Sequence, residues 1–413
     1  MNHTYPHATA INITIPGTDR RCTIDAKGSS IIITGINGSG KTQLLKTLYN
    51  FCELSMQSTD TIDSLQAHIH HLNAFLSSNS KVHQSYESHV DALKFSTIKL
   101  DHLKNPPITI KNLETYIQDY RMGKSVLLLF EATRQANFRE ASSATSKEKI
   151  IQQAAHTPDT SSYFEDYLVS QITLQAYAES PNIGNDPSSA KTIAKWFEKL
   201  EADFKNLFED PTLRIKFDST KQCFFIHQDN KAPYRFQNLS SGFSSLLAIY
   251  ANLIMKVELR DISPAEMYGL VFIDEIDAHL HVSLQRKVLL FLTEAFPNIQ
   301  FIITTHSPFV VSSVNNAVIY DMSTLQQVDD LSMYSYESIL RGLFDTPPVS
   351  QIVTDKVERL YDILEESCPN LEELQQTLKI VSQHESELDP ESAMHIKRAR
   401  IFLNKNLGGG TDV

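Results

Sequence analysis

Eight residues constrain this 413-residue chain more than any others. Residues 35–42 read GINGSGKT, the pattern G-x-x-x-x-G-K-[ST]. They follow the apolar run Ser30–Thr34 and precede Leu44, Leu45, Leu48 and Tyr49, which have helical spacing. Strand, glycine-rich turn and helix in that order aim loop amides and a helix N-terminus at phosphate oxygens. Gly38 and Gly40 permit close backbone approach, Lys41 reaches the β- and γ-phosphates, and Thr42 offers a hydroxyl to Mg²⁺. Asn37, Ser39 and Gln43 complete the expected nucleotide contacts.

Three further stretches belong with this loop. Residues 269–277, GLVFIDEID, place Asp274 at the carboxyl end of an apolar strand, where sites of α/β sheets lie. Asp274 is expected to hold Mg²⁺ through water, and Glu275 to orient or deprotonate the attacking water. His306 follows a strand ending in Thr304 and Thr305, a position from which it can reach a γ-phosphate. Residues 238–245, NLSSGFSS, open an apolar helix. Ser240, Ser241 and Gly242 there form either an anion site or an ordinary N-cap, and the local residues leave both readings open.

The chain falls into three blocks. Residues 1–53 read strand, strand, loop, helix. Residues 54–210 are polar and mostly helical: Ile62, Leu65, Ile69, Leu72 and Leu76 form a short stripe, and Val82, Tyr86, Val90 and Leu93 a second. Pro106 and Pro107 end that hairpin, and Val126–Phe130 is a strand expected to belong with the outer blocks. Helix resumes from Ala190 to about Glu209. From Leu213 the period becomes two in LRIKF, CFFIH and YRFQ, and from there to residue 330 helices (246–258, 282–295) alternate with strands (270–273, 301–304, 318–320). Residues 331–413 read as helices with a glycine-rich tail.

Formal charge is −12, from 37 basic and 49 acidic residues, which argues against a surface wrapped in nucleic acid. Lys397, Arg398, Arg400 and Lys405 read as a solvated helix face. Cys22, Cys52, Cys223 and Cys368 are scattered without a Cys-x-x-Cys pair, the pattern of reduced cysteines in a cytoplasmic protein. No aliphatic run is long enough to span a membrane, and the N-terminus lacks the pattern of a signal peptide.

A P-loop, a Leu-Ser-x-Gly turn, an apolar strand ending Asp-Glu and a histidine after a strand, in that order, resemble the ABC-type ATPases. The closest look is to their SMC- and OLD-like branch. Residues 238–243, DEIDAHLH, TTHSP and the tail stretches MYSYESILRGLFDTPP and ELDPES…RARIFL resemble the PtuA-type ATPases of Septu anti-phage systems, with the AriA type of PARIS systems next. The resemblance implies an α/β fold: an ABC-type ATPase head split between 1–53 and 211–330, with a mostly parallel sheet and an antiparallel β subdomain. A helical insertion lobe (54–210) and a helical C-terminal region (331–413) would complete it.

It also implies a dimer, or a higher oligomer, in which each ATP lies between residues 35–42 of one copy and Leu239–Phe243 of the other. Gln135, in EATRQ, would be the glutamine that meets Mg²⁺ and water, although Arg134 could instead meet phosphate. His279 and His281 would sit in a dimer-contacting loop. Phe243 stands where the family commonly has glutamine, and Ser241 where it has its first signature glycine. The acids after His306 (Glu358, Asp362, Glu365, Glu366, Glu372, Glu373) are spaced as helix faces, so no nuclease is expected within the chain. A regulatory ATPase that controls a separate nuclease, HNH-type if PtuA-like, is the leading expectation, with nucleic acid met through the complex. An SMC-like DNA clamp and an ATP sensor with little hydrolysis are the alternatives.

Overall fold

The computed structural model describes residues 5–58, 60–78, 85–134, 136–141, 143, 145–154, 157, 159–328, 336–344, 351–366, 369–383 and 390–406. The chain opens with strands β1 (His7–Thr14), β2 (Arg21–Asp25) and β3 (Ser30–Thr34), then helix α1 (Lys41–Gln57). Helices α2 (Ile62–Ser78) and α3 (Tyr86–Lys104) pack on each other, with Phe75 stacked on His89. The chain then returns through β4 (Ile108–Lys111), α4 (Leu113–Arg121) and β5 (Ser125–Phe130). Helices α5 (Lys147–Ala154), α6 (Phe164–Glu179) and α7 (Pro187–Leu207) precede the hairpin β6 (Arg214–Asp218) and β7 (Cys223–His227). Helix α8 (Ser241–Glu258) and strand β8 (Tyr268–Ile273) follow, then α9 (Val282–Gln285), α10 (Val288–Ala295) and β9 (Asn298–Thr304). The unit closes with α11 (Pro308–Val311), β10 (Ala317–Asp321) and β11 (Gln326–Val328).

The main sheet has six strands in the order β11-β10-β3-β9-β8-β5. All neighbours are parallel except β11, which is antiparallel to β10. Every residue of β8, and all of β9 after Asn298, is buried, as expected where helices or a second sheet cover both faces. A smaller antiparallel sheet runs β2-β1-β4. Ile11, Ile24 and Ile108 from it pack in one core with Ile31 and Ile33 of β3 and with Leu44, Leu45, Leu48 and Phe51 of α1. At the start of β5 and β8, the buried Tyr116 hydroxyl of α4 donates to the Val126 carbonyl (2.5 Å) and accepts from the Leu270 amide (2.9 Å). It thereby links the two strands at that level.

The fold class is the one expected, with differences in detail. β2 and β4 were not anticipated; their RCTID and ITIK bury alternate residues, but each is too short to stand out. YRFQ is no strand: Tyr234 makes one isolated bridge to Ile226, and Phe236–Asn238 is a 3₁₀ turn. The helix expected over 282–295 is broken, because the Lys287 amide bonds back three residues to the Leu284 carbonyl (3.0 Å) and tightens the turn. Helix α7 starts at Pro187 rather than Ala190, since the Asp186 carboxylate caps it by accepting from the Ser189 amide (3.1 Å). The aromatic face of α7 is turned to the core, with Phe204 in contact with Phe164, Phe236 and Tyr250. Val82 and Cys368 lie outside the described residues; Cys22, Cys52 and Cys223 are buried free thiols.

Residues 334–413 form a second compact unit. It contains α12 (Tyr336–Phe344), α13 (Gln351–Glu365), α14 (Leu371–Ser382) and α15 (Pro390–Asn406). Leu360, Ile363, Leu374, Ile396 and Ala399 make its core. On its surface Arg398 pairs with Glu365 (3.2 Å), and Arg359 with Glu366 (3.5 Å) and Glu373 (2.8 Å). Among the described residues no helix is long and apolar enough to cross a membrane.

Candidate nucleotide site

Four neighbouring strands, β3, β9, β8 and β5, end at one level, and the ladder continues past their ends. The Thr305 amide donates to the Ile33 carbonyl (3.1 Å), Ile276 to Thr304 (3.0 Å) and Asp274 to Phe130 (2.8 Å). These bonds bring residues 35–42, 274–277, 304–306 and 131–134 together at the carboxyl edge of the sheet. They also place β9 between the strand that leads to Lys41 and the strand that leads to Asp274.

The 35–42 loop is built as a cradle. Gly38 has φ +78° and open space where a Cβ would stand, so any side chain there would be strained and would occupy the concavity. The Ser39 hydroxyl is buried without a partner among the described residues, a donor left for a ligand. Asn37, Thr42 and Gln43 are exposed. Lys41 is 6% exposed, and its ammonium donates to the carbonyls of Gly35 (3.0 Å) and Ile36 (2.9 Å). Burial lowers its pKa, against the opposing pull of Glu275, Asp274, Asp277 and Asp321. The Ser323 hydroxyl, after β10, supports the loop by accepting from the Ile36 amide (2.9 Å).

Asp274 is 3% exposed. Its Oδ1 accepts from Thr42 Oγ1 (3.1 Å) and from Thr304 Oγ1 (2.6 Å). Thr304 Oγ1 in turn accepts from the Glu275 amide (2.7 Å), so one threonine fixes both acids. A hydroxyl and a single carboxylate, both hard oxygen donors, suit Mg²⁺, which takes few protein ligands and keeps phosphate and water for the rest. Among the described residues no cluster of three or more His, Cys, Asp or Glu is placed to hold a metal by protein ligands alone. Glu275 is half-buried and has φ +45°, a left-handed backbone that turns its carboxylate out of the strand direction. His306 is half-buried, and burial together with Lys41 lowers its pKa, which keeps the imidazole neutral near pH 7.

Arg134, the alternative to Gln135 as a phosphate contact, is turned to backbone carbonyls here. Its NH1 donates to the carbonyls of Glu131 (2.9 Å) and Asp274 (2.7 Å), and its NH2 to those of Glu275 (3.1 Å) and Ile276 (3.2 Å). All four acceptors are backbone atoms, so the guanidinium braces the turn after β8. Gln135 lies outside the described residues. The roles of Thr304 and Arg134 escaped sequence reading. TTHSP did show two threonines at the strand end, but nothing in it told which one would face Asp274.

The NLSSGFSS turn starts α8. Ser240 is the N-cap residue, exposed, and its hydroxyl makes no cap hydrogen bond. Ser241 is exposed as well. Gly242 is buried, and a Cβ on it would stand 2.5 Å from the His279 carbonyl oxygen. The glycine therefore has a steric reason within its own chain. Phe243 stacks on Phe208 with ring centroids 4.1 Å apart and planes at 2°. His279 has φ +64°, and His281 caps α9 by accepting weakly from the Ser283 amide (3.4 Å).

Residues 155–312, which include the α8 turn, β8 and β9, match the family described as "AAA domain, putative AbiEii toxin, Type IV TA system". Septu protein PtuA of Bacillus thuringiensis is 33% identical over 150 residues, 35% of this chain and 36% of that protein. Over this part of its length the chain is similar to proteins of Septu and retron systems. A "Retron Vc95 probable ATPase" of Vibrio cholerae serotype O1 biovar El Tor is 30% identical over 152 residues, 36% of this chain and 28% of that protein. The matched stretches thus span little more than a third of those relatives at most. Among solved structures, the SMC head domain from Thermotoga maritima overlaps 78% of this chain and 97% of its own, at 14% identity and a TM-score of 0.33.

Proposed function

We propose that this chain binds and hydrolyses Mg²⁺–ATP, pairs with a second copy around two nucleotides, and regulates a separate nuclease in a prokaryotic defence complex. One observation carries the catalytic part: Thr42 and Asp274, 232 positions apart, are hydrogen-bonded (3.1 Å) at the sheet edge that also holds Lys41 and Glu275. Phosphoryl transfer needs mainly positioning and charge stabilisation, and these groups supply both. Amides of residues 37–42 and the Lys41 ammonium bind phosphate oxygens. Mg²⁺ held by Thr42 and Asp274 would neutralise charge between the β- and γ-phosphates. Glu275 orients the attacking water and accepts its proton. Neutral His306 donates to a γ-phosphate oxygen.

The pairing rests on the turn before α8. Ser240, Ser241 and the first amides of α8 have no phosphate of their own to meet in this reading, and they take the γ-phosphate bound by the other copy. The regulatory part rests on the relatives and on the C-terminal unit. Glu365, Glu366 and Glu373 are used there in surface ion pairs, as helix-face acids would be. We therefore assign DNA or RNA cleavage to a partner protein, HNH-type if the Septu likeness extends to the whole complex.

Turnover and mass measured together test this. Wild type is expected to release phosphate and to gain mass with ATP. Glu275→Gln is expected to cut turnover to a slow residual rate and accumulate the ATP-bound pair. Equal turnover and equal mass in the two proteins would refute the role given to Glu275.

A further inference from the structure

The Arg134 guanidinium is spent on backbone. A buried arginine usually meets a carboxylate or phosphate, whose geometry its fork matches. Here four N–H···O=C bonds of 2.7–3.2 Å go to Glu131, Asp274, Glu275 and Ile276, and Nε is buried without a partner among the described residues. Three of the acceptors are consecutive carbonyls of the turn that carries both acids. The middle one belongs to Glu275, which holds a left-handed backbone at φ +45°. Two residues on from Arg134, the Ala136 amide donates to Ser244 Oγ of α8 (3.1 Å). The segment after β5 is thus tied on one side to the Glu275 turn and on the other to the helix that begins at the Ser240 turn.

We infer that Arg134 is a positioning residue for Glu275: by gathering the carbonyls of residues 274–276 it fixes the backbone from which the Glu275 carboxylate reaches the attacking water. This rests on the hydrolytic role proposed above for Glu275. Burial lowers the Arg134 pKa to about 10, opposed by Asp277, Asp274 and Glu275, so the group stays charged at neutral pH. A lysine keeps the charge, but its point-like ammonium cannot serve four carbonyls in the plane of a fork.

The test uses the full-length chain and four proteins: wild type, Arg134→Lys, Glu275→Gln and the double variant. Steady-state ATP turnover is measured alongside binding of a fluorescent ATP analogue. A misplaced carboxylate costs turnover rather than affinity, so Arg134→Lys is expected to lower kcat about a hundredfold with analogue affinity unchanged. Residues acting through one group are non-additive, so the double variant should be no slower than Glu275→Gln alone. Equal losses in kcat and affinity, or a double variant slower than Glu275→Gln, would overturn the inference. If wild type turns over and Glu275→Gln does too, the reading of Glu275 fails and the inference falls with it. If only Arg134→Lys keeps wild-type kcat, the inference alone fails. Should Arg134→Lys not fold, Ser244→Ala loosens the same segment with the guanidinium in place. A drop in kcat at constant affinity then supports the inference, and unchanged kcat overturns it.

Discussion

Gly242→Ala separates two reasons for one glycine. In the shared-site reading, Gly242 lets the α8 amides approach the other copy's γ-phosphate. Within its own chain, it lets the His279 carbonyl approach α8. An alanine Cβ would lie 2.5 Å from that oxygen, 3.4 Å from the His279 carbonyl carbon and 3.6 Å from Leu280 Cα. Ordinary contact begins near 3.4 Å, so helix start and turn must part by close to an ångström. Such overpacking costs about 1–3 kcal/mol. Alanine recovers up to about 1 kcal/mol of helix propensity at the same position. The net loss is small for a chain of this size, a few degrees in Tm at most. The effect on turnover should be far larger, about a hundredfold, because the displaced turn also carries Glu275.

Mixing experiments tell the two effects apart. Lys41→Ala spoils a copy's own loop, while Ser240→Ala spoils only what it offers to the other copy. Combined at equal amounts, they form mixed pairs in half of the dimers, each with one intact site. Turnover should return to about a quarter of wild type. Lys41→Ala with Gly242→Ala should recover much less, since the only intact loop then belongs to the chain whose 275–279 turn is displaced. Equal recovery with both partners would refute the steric argument. No recovery with either would refute the shared site.

Two further outcomes follow from the site. Thr304→Val removes the hydroxyl that donates to Asp274 Oδ1 and accepts from the Glu275 amide. It should lower stability by about 1–3 kcal/mol in urea unfolding and depress turnover without abolishing nucleotide binding. His306 has a lowered pKa, by burial first and Lys41 second. The unfolded chain therefore binds its proton more readily, and His306 contributes to a fall in stability as pH drops below the unfolded value near 6.5. His306→Asn should make stability less sensitive to pH between roughly 7 and 5, measured as urea midpoints across that range.

The P-loop, the Asp274–Glu275 strand and His306 were legible because each pairs an apolar strand with a chemically distinctive end. What was not legible depended on three-dimensional neighbours. Arg134 was seen beside Gln135, but three of its four acceptors come from a turn 140 to 142 positions away. Gly242 was read through its family role, and the His279 carbonyl that demands it has no side-chain signature. β2 and β4 were hidden for a different reason: five and four residues give too few alternations to stand out from loop.

The hydroxyl of Tyr116 sits at the opposite ends of β5 and β8 from all of this chemistry. Strands have a side-chain period of two, so a slip of one residue would turn every inward side chain outward. By binding Val126 on one strand and Leu270 on the other, Tyr116 marks the level at which both begin. Four paired positions after Val126, Phe130 stands beside Ile273, and the next residues are Glu131 and Asp274. A phenol at the floor of the sheet thus serves as a depth gauge, fixing the height at which the arginine segment and the paired acids meet.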